Sequence, residues 1–334
     1  MTQFGVSYFG NRFLSHAKMD LARIAESCDY VVHTVSENDL NFHKAVLAKI
    51  FEESRRRNLE VWADPWGLGG VFGGEALSSF LTGHRNSWQT MSNGKVVASA
   101  CLNRPEWRSF VKEWILTVRD MGAQVIFWDE PHVAFDFASE LEGIFSCVCE
   151  LCQQIYRRRY GLNEPLKLND TTREFRRDTM KDFLNEIMAF AKSKGLRNAI
   201  CLYAYKGIPE YDRIWAEAAA LKDLDIFGCD PYWRWRGRQD PYDRLTEFSR
   251  YVLDHANPHG KGSQVWIQAM RLPAGTEGEI ERAIEASVKE GISHVAAWSF
   301  DGGELLDTVL AERPEEVWKA VEKAYKRFRA ARVG

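Results

Sequence analysis

The turn Trp128-Asp129-Glu130-Pro131 sets two adjacent carboxylates behind the apolar run Val125-Ile126-Phe127-Trp128. A glutamate in such surroundings has its pKa raised and is kept as a neutral acid near neutral pH. Cleavage of a glycosidic bond needs such an acid to protonate the leaving oxygen, and usually a second carboxyl to attack the sugar or activate water. Glu130 is the candidate proton donor. Asp230, favoured, or Asp301 could complete the pair.

Other polar and aromatic residues recur at the ends of β-rich runs: Glu37, Asp64, Trp66, Tyr205, Lys206, Tyr232, Trp233, Gln268, Arg271, Trp298 and Asp301. Carboxylates hydrogen-bond sugar hydroxyls, and flat rings stack on the apolar faces of pyranoses, so the set points to a carbohydrate ligand. A lone Asp at a strand end could equally cap the next helix, but capping needs no accompanying Trp and Tyr. Trp233 and Trp235 are expected to be exposed, lining either the pocket or a subunit interface. Cys147, Cys149 and Cys152 crowd together, where a compact metal site is expected over disulfides in a reducing compartment. Cys28, Cys201 and Cys229 fall in or beside core elements, where a small apolar side chain suffices.

These residues need a scaffold that gathers strand ends. Eight β-rich runs, at 4–8, 30–35, 60–63, 124–128, 199–205, 225–229, 264–269 and 294–298, alternate with helical stretches such as 44–57 and 279–290. The pattern predicts one (β/α)8 TIM barrel spanning 1–334, whose catalytic face lies at the C-terminal strand ends. Long insertions are expected after strands three and four, at about 67–103 and 131–195. The first holds the Gly-rich stretch Gly67–Gly74, which lacks the Lys-Ser/Thr of a phosphate-binding loop and reads as a mobile loop over the site.

Trp128-Asp129-Glu130-Pro131 resembles the Asn-Glu-Pro that ends the fourth strand of the retaining glycosidases of clan A, in which the Glu is the acid/base. Cys101, Cys147, Cys149 and Cys152 are similar in arrangement to the zinc site of the family 42 β-galactosidases, implying a structural zinc held by four thiolates. Two departures stand out. Asp129 replaces the Asn, and the seventh run, Trp266-Ile267-Gln268-Ala269-Met270-Arg271, has no glutamate to act as nucleophile. Asp230 or Asp301 could take that part. Alternatively, Asp129-Glu130 resembles the Asp-Glu of the β-hexosaminidases, where a substrate acetamido group attacks. In a third version, Asp129 and Asp230 would be the nucleophile and acid of a melibiase-type α-glycosidase.

A chain of 334 residues with 45% apolar and 27% charged residues can bury a large core, and a net charge of -3 gives no polyelectrolyte character suited to nucleic acid. No run is long and apolar enough for a membrane span, and the N-terminal residues lack signal-peptide features, so a cytoplasmic location is expected. No organic cofactor is expected, and a homo-oligomer is compatible with the surface aromatics. The rival functions are a sugar-binding barrel without catalysis and a metal-dependent enzyme. Only His132 lies close to a strand end, which argues against a histidine-rich catalytic metal centre.

Overall fold

The computed structural model describes residues 1–134, 143–161, 164–235, 237 and 239–331. Eight strands, β1 (Gln3–Tyr8), β2 (Tyr30–Thr34), β3 (Glu60–Asp64), β4 (Val125–Asp129), β5 (Arg197–Leu202), β6 (Ile226–Cys229), β7 (Gly262–Gln268) and β8 (His294–Trp298), lie parallel in chain order. Pairing of β8 back onto β1, from Gln3 opposite His294 to Val6 opposite Ala297, closes the barrel. All eight expected strands are present. Their apolar runs are continuous because both faces are buried, one inside the barrel and one under helices.

The two-residue pleat sorts these strands into two cores. Tyr30, Val32, Trp62, Val125, Phe127, Ala199, Cys201, Ile226, Trp266 and Ala296 fill the barrel interior. Their neighbours Val31, Val61, Ile126, Trp128, Ile200, Phe227, Val265 and Val295 pack outward against the helices. Interior space is tight enough to dictate residue type: a Cβ on Gly228 would stand 2.6 Å from the Gln264 carbonyl oxygen.

The helix layer comprises α1 (Leu14–Ala25), α2 (Lys44–Arg56), α3 (Pro105–Met121), α4 (Asp170–Ser193), α5 (Pro209–Ala219), α6 (Pro241–Ala256), α7 (Gly278–Lys289) and α8 (Pro314–Ala330). Four of them begin on proline, whose fixed φ suits the first turn and whose missing N–H would have no partner there. Asn169 caps α4 by accepting from Thr172 N, and Asp240 caps α6 by accepting from Tyr242 N and Asp243 N. The expected stripes face inward, with Leu47, Ile50 and Phe51 buried on α2 and Ile280, Ala283 and Ile284 on α7.

The connection after β3 carries an antiparallel hairpin, Trp88–Thr90 with Val96–Ala100, and the one after β4 carries the helix Glu150–Tyr160 before reaching α4. The two are stitched together by Ser92 N to Phe145 O and Val148 N to Thr90 O, both 2.8 Å. The Gly-rich stretch is not an overhanging loop. Residues 67–69 and 71–73 are buried, and Gly67 N donates to Gly73 O at 2.7 Å, closing the segment on itself. Gly67, Gly69 and Gly70 all have φ near +60°, a conformation that disfavours any side chain.

Candidate active site

The pleat that fills the barrel also aims its last layer. Inward positions 62 on β3, 125 and 127 on β4, and 226 and 228 on β6 are followed, two residues on, by Asp64, Asp129 and Asp230, with Glu130 beside them. Four carboxyls thus meet at the C-terminal mouth. Burial raises all four above the ordinary carboxylate range: for Asp64 the charges of Asp129 and Glu130 add to it, and for Asp129 those of Glu130 and Glu75. Glu130 is raised by burial, then by the charge of Asp230 and a hydrogen bond to it, whereas burial lifts Asp230 to about 7 against the lowering effect of that same bond. Two neighbouring carboxyls in a buried site resist ionising together, which favours one neutral acid beside one carboxylate.

Backbone geometry holds the turn. Glu130 has φ +39°, uncommon for a residue with a side chain, and its N–H donates to Cys201 O at 3.0 Å. His132 Nδ1 lies 2.7 Å from the Glu130 carbonyl oxygen, which accepts from it, and His132 N donates to Val71 O at 2.8 Å. Burial lowers the His132 pKa, leaving a neutral imidazole. Gly73 N donates to Asp129 O at 3.0 Å, and a Cβ on Gly73 would stand 2.3 Å from Asp129 Oδ2. Only glycine allows this approach.

Above the carboxyls lies a cavity of about 590 Å³ lined by Asp129, Glu130 and Asp230 together with Trp66, Tyr205, Tyr232 and Trp298. Phe9 braces two of the rings: it stacks on Trp66 at 5.8 Å and on Trp298 at 5.1 Å between centroids. The exposed Trp235 adds a further wall, with the Arg271 guanidinium 4.4 Å from its ring centre.

Several expected residues serve the scaffold instead. Glu37 is buried and accepts from Gly69 N, Ser78 Oγ, Ser79 Oγ and Phe80 N at 2.6–3.0 Å, which uses both its oxygens. Trp233 is fully buried rather than exposed, its Nε1 donating to Glu279 Oε2 at 2.8 Å. Gln268 accepts from Arg234 N at 3.0 Å and donates to Met270 O at 3.2 Å, so its amide is turned to the backbone. Asp301 is held by Arg23 in a two-fold ion pair at 2.7 Å. Asp64 is almost wholly buried, outside the cavity lining, and Arg271 reaches the site only through Trp235.

Among the lining residues that escaped the sequence reading are Glu75, Tyr203, Arg244 and Glu247. Tyr203 lines the cavity beside Glu130, and the charge of Glu130 adds to the burial that raises the Tyr203 pKa. The signal for it was present, because Ala199 and Cys201 point inward and the same phase continues to 203. Arg244, whose charge lowers the Asp230 pKa, comes from a helix, and Glu75 from the long connection after β3. No local pattern marks either one.

Away from the mouth, Cys101, Cys147, Cys149 and Cys152 bring their sulfurs within 4.8 Å of one another, and all four are free thiols. Cys101 Sγ lies 3.4 Å from Cys152 Sγ and 3.8 Å from Cys149 Sγ. A tetrahedral ion with metal–sulfur bonds of about 2.3 Å sets sulfurs about 3.8 Å apart, so the quartet fits a metal ion. Asn103 Nδ2, at 3.3 Å from Cys152 Sγ, and Thr90 N, at 3.5 Å from Cys147 Sγ, donate to the sulfurs, as suits thiolates. Phe145, Tyr156, Leu166 and Phe175 shield the cluster.

No family model and no curated protein matches the chain. Solved structures do. The β-galactosidase of the Antarctic haloarchaeon Halorubrum lacusprofundi superposes with a TM-score of 0.71 at 12% identity, over 98% of this chain and 58% of that one. The β-galactosidase of the psychrophilic Marinomonas ef1 gives 0.69 at 10%, over 99% and 60%. The catalytic domain of the Paenibacillus polymyxa β-amylase gives 0.66 at 11%, over 100% of this chain and 99% of that one. The chain thus spans less than two thirds of the two β-galactosidases. At these identities the likeness is one of fold, and the fold is the (β/α)8 barrel of these glycoside hydrolases.

Proposed function

We propose that the chain is a glycoside hydrolase in which Glu130 is the proton donor and Asp230 the nucleophile. The observation that carries this reading is the placing of Glu130 and Asp230 together in the lining of a cavity walled by Trp66, Tyr232 and Trp298, where burial raises both carboxyls. A carboxyl held as a neutral acid beside one able to ionise is the division of labour that glycosidic cleavage requires. With Asp230 attacking the sugar itself rather than activating a water, the reaction is a double displacement that retains the anomeric configuration.

In the first step the bond from the anomeric carbon to the leaving oxygen breaks. That oxygen takes the Glu130 proton, and an Asp230 oxygen bonds to the anomeric carbon. In the second step water attacks that carbon and gives a proton to the Glu130 carboxylate, and the ester bond to Asp230 breaks. Both carboxyls return to their starting states. Tyr203, which lines the cavity beside Glu130, is the neighbour placed to steady the glutamate through both steps. Incubation with a panel of aryl glycosides, with the first-formed anomer read by proton NMR, tests the proposal. Release of the substrate's own anomer is expected, and failure to hydrolyse any member of the panel contradicts it.

A second reading is favoured by Asp129, which lines the cavity beside Glu130 and is kept protonated by burial. There, a substrate acetamido group replaces Asp230 as the attacking group. It predicts turnover of 2-acetamido sugars alone.

Gly73 supplies a test that touches no carboxyl. Gly73→Ala forces Asp129 Oδ2 away from a 2.3 Å approach, with Glu130 Oε2 3.5 Å from the same Cβ. Displacing the pair by about 1 Å is expected to lower kcat by about 10²-fold. Steady-state kinetics alongside a melting curve checks it, a fall in stability without a fall in kcat being the contrary result.

The cysteine quartet is proposed as a structural zinc site, through which the metal would tie the hairpin after β3 to the helix Glu150–Tyr160. Its effect passes to the active site through buried Gln89, whose Oε1 accepts from Ser146 Oγ at 2.8 Å and from Ala134 N at 3.0 Å, four residues beyond Glu130. Elemental analysis is expected to find one zinc per chain in the wild type and none in Cys152→Ser. Loss of the metal is expected to lower Tm by on the order of 5–10 °C, as a loss of several kcal/mol does at this chain length.

A further inference from the structure

A second cavity, of about 420 Å³, opens on the other side of Glu130. It lies between α4 and α5: Met180 and Leu184 face Ile214, Trp215 and Ala218 across Leu202, while Glu130 and Tyr203 form its inner end. Glu130 and Tyr203 therefore line both cavities. The polar residues at the rim are largely matched among themselves. Arg177 pairs with Glu210 at 2.8 Å and with Glu217 at 3.4 Å, and Lys181 pairs with Asp178 at 3.1 Å. Trp215 Nε1 already donates to Tyr203 O at 3.2 Å, leaving that ring only apolar surface to offer.

A proton donor stands between the sugar it releases and the group that leaves. With the polar, aromatic-walled cavity on one side of Glu130, the apolar groove on the other is where the leaving group lies. We infer that this groove binds a neutral, apolar aglycone, aromatic or branched alkyl, and that the natural substrate class is therefore a glycoside of a hydrophobic alcohol or phenol. An apolar cavity of about 150 Å³ already holds one benzene ring, so 420 Å³ accepts a fused two-ring group with space to spare. Matched rim charges argue for a neutral occupant, since an anion would have to compete with Glu210 and Glu217 for Arg177.

The inference rests on the hydrolase reading, and the test separates the two. Wild type is compared with Ile214→Trp and Met180→Trp, which fill the groove from opposite walls, each variant first checked by its melting curve. Saturable binding of 2-naphthol, followed by tryptophan fluorescence, is expected in the wild type and weakened about tenfold or more in both variants. For the sugar that the wild type hydrolyses, kcat/KM for the 2-naphthyl glycoside relative to the methyl glycoside is expected to fall by about the same factor in both variants. Absence of saturable 2-naphthol binding, or an unchanged ratio, overturns the inference. Binding that the variants abolish, in a protein that cleaves no glycoside, would overturn the leaving-group role and the hydrolase reading together while leaving an apolar site.

Discussion

Glu130→Gln is expected to lower kcat for an unactivated glycoside by about 10²–10⁴-fold while leaving ligand affinity within a few-fold of wild type. Glutamine keeps the shape of the protonated acid and can still hydrogen-bond Asp230 and Tyr203, but it has no proton to give the leaving oxygen. Substrates whose leaving groups need little protonation should lose much less. The pH profile carries a second signature. Wild-type kcat/KM rises on its acid side as Asp230 ionises near its raised value of about 7, and falls on its alkaline side as Glu130 loses its proton. The variant is expected to keep the acid limb and lose the alkaline one. Rates across pH with a poor and a good leaving group decide the matter. Equal losses on both would assign Glu130 a structural part.

The second large effect is on stability. An aspartate held at about 7 in the fold and near 3.8 when unfolded binds its proton more tightly in the native state. Its contribution to stability is then fully present below about pH 4 and is lost as pH rises through 7, amounting to on the order of 4 kcal/mol by pH 8. Asp64, Asp129 and Glu130, all raised by burial, act in the same direction. Asp230→Asn mimics the neutral acid at every pH and also relieves Glu130 of a neighbouring charge. Thermal melts should place its Tm about 5–10 °C above wild type at pH 8 and level with it at pH 4. A variant no more stable than wild type at pH 8 would mean that the carboxyl cluster is not strained by burial. The stabilised variant is expected to be catalytically dead, the exchange that a site built from buried like charges imposes.

The barrel, and the inward aim of several candidate residues, were legible because one physical rule governs both. The two-residue pleat that sends Val125 and Phe127 inward also sends Asp129 inward, and it does the same for Asp64, Asp230, Tyr203 and Trp298. Residues beyond the last strand position were less legible, since the pleat ends there and the chain direction depends on turns. Asp230 directly follows its strand, whereas Glu37 and Asp301 lie a few residues further on, where one is taken up by four hydrogen-bond donors of the connection after β3 and the other by Arg23. Those partners lie 32 to 278 residues away in sequence, so no local pattern marks them. Trp233 and Gln268 turned inward to satisfy Glu279 and the backbone for the same reason. Cys147, Cys149 and Cys152 were readable from their local spacing, whereas the distant Cys101 was joined to them through the resemblance to a known zinc site, and the structure brings all four sulfurs together.

The assignment of Glu130 as proton donor and Asp230 as nucleophile is tested most directly by chemical rescue. Asp230→Ala, given an aryl glycoside with a good leaving group and sodium azide, should regain turnover and form a glycosyl azide. The azide enters the space of the missing carboxylate, so the product should have the opposite anomeric configuration to the substrate. Restoration by azide of Asp129→Ala but not of Asp230→Ala, in a protein whose wild type cleaves the same glycoside, would contradict the account.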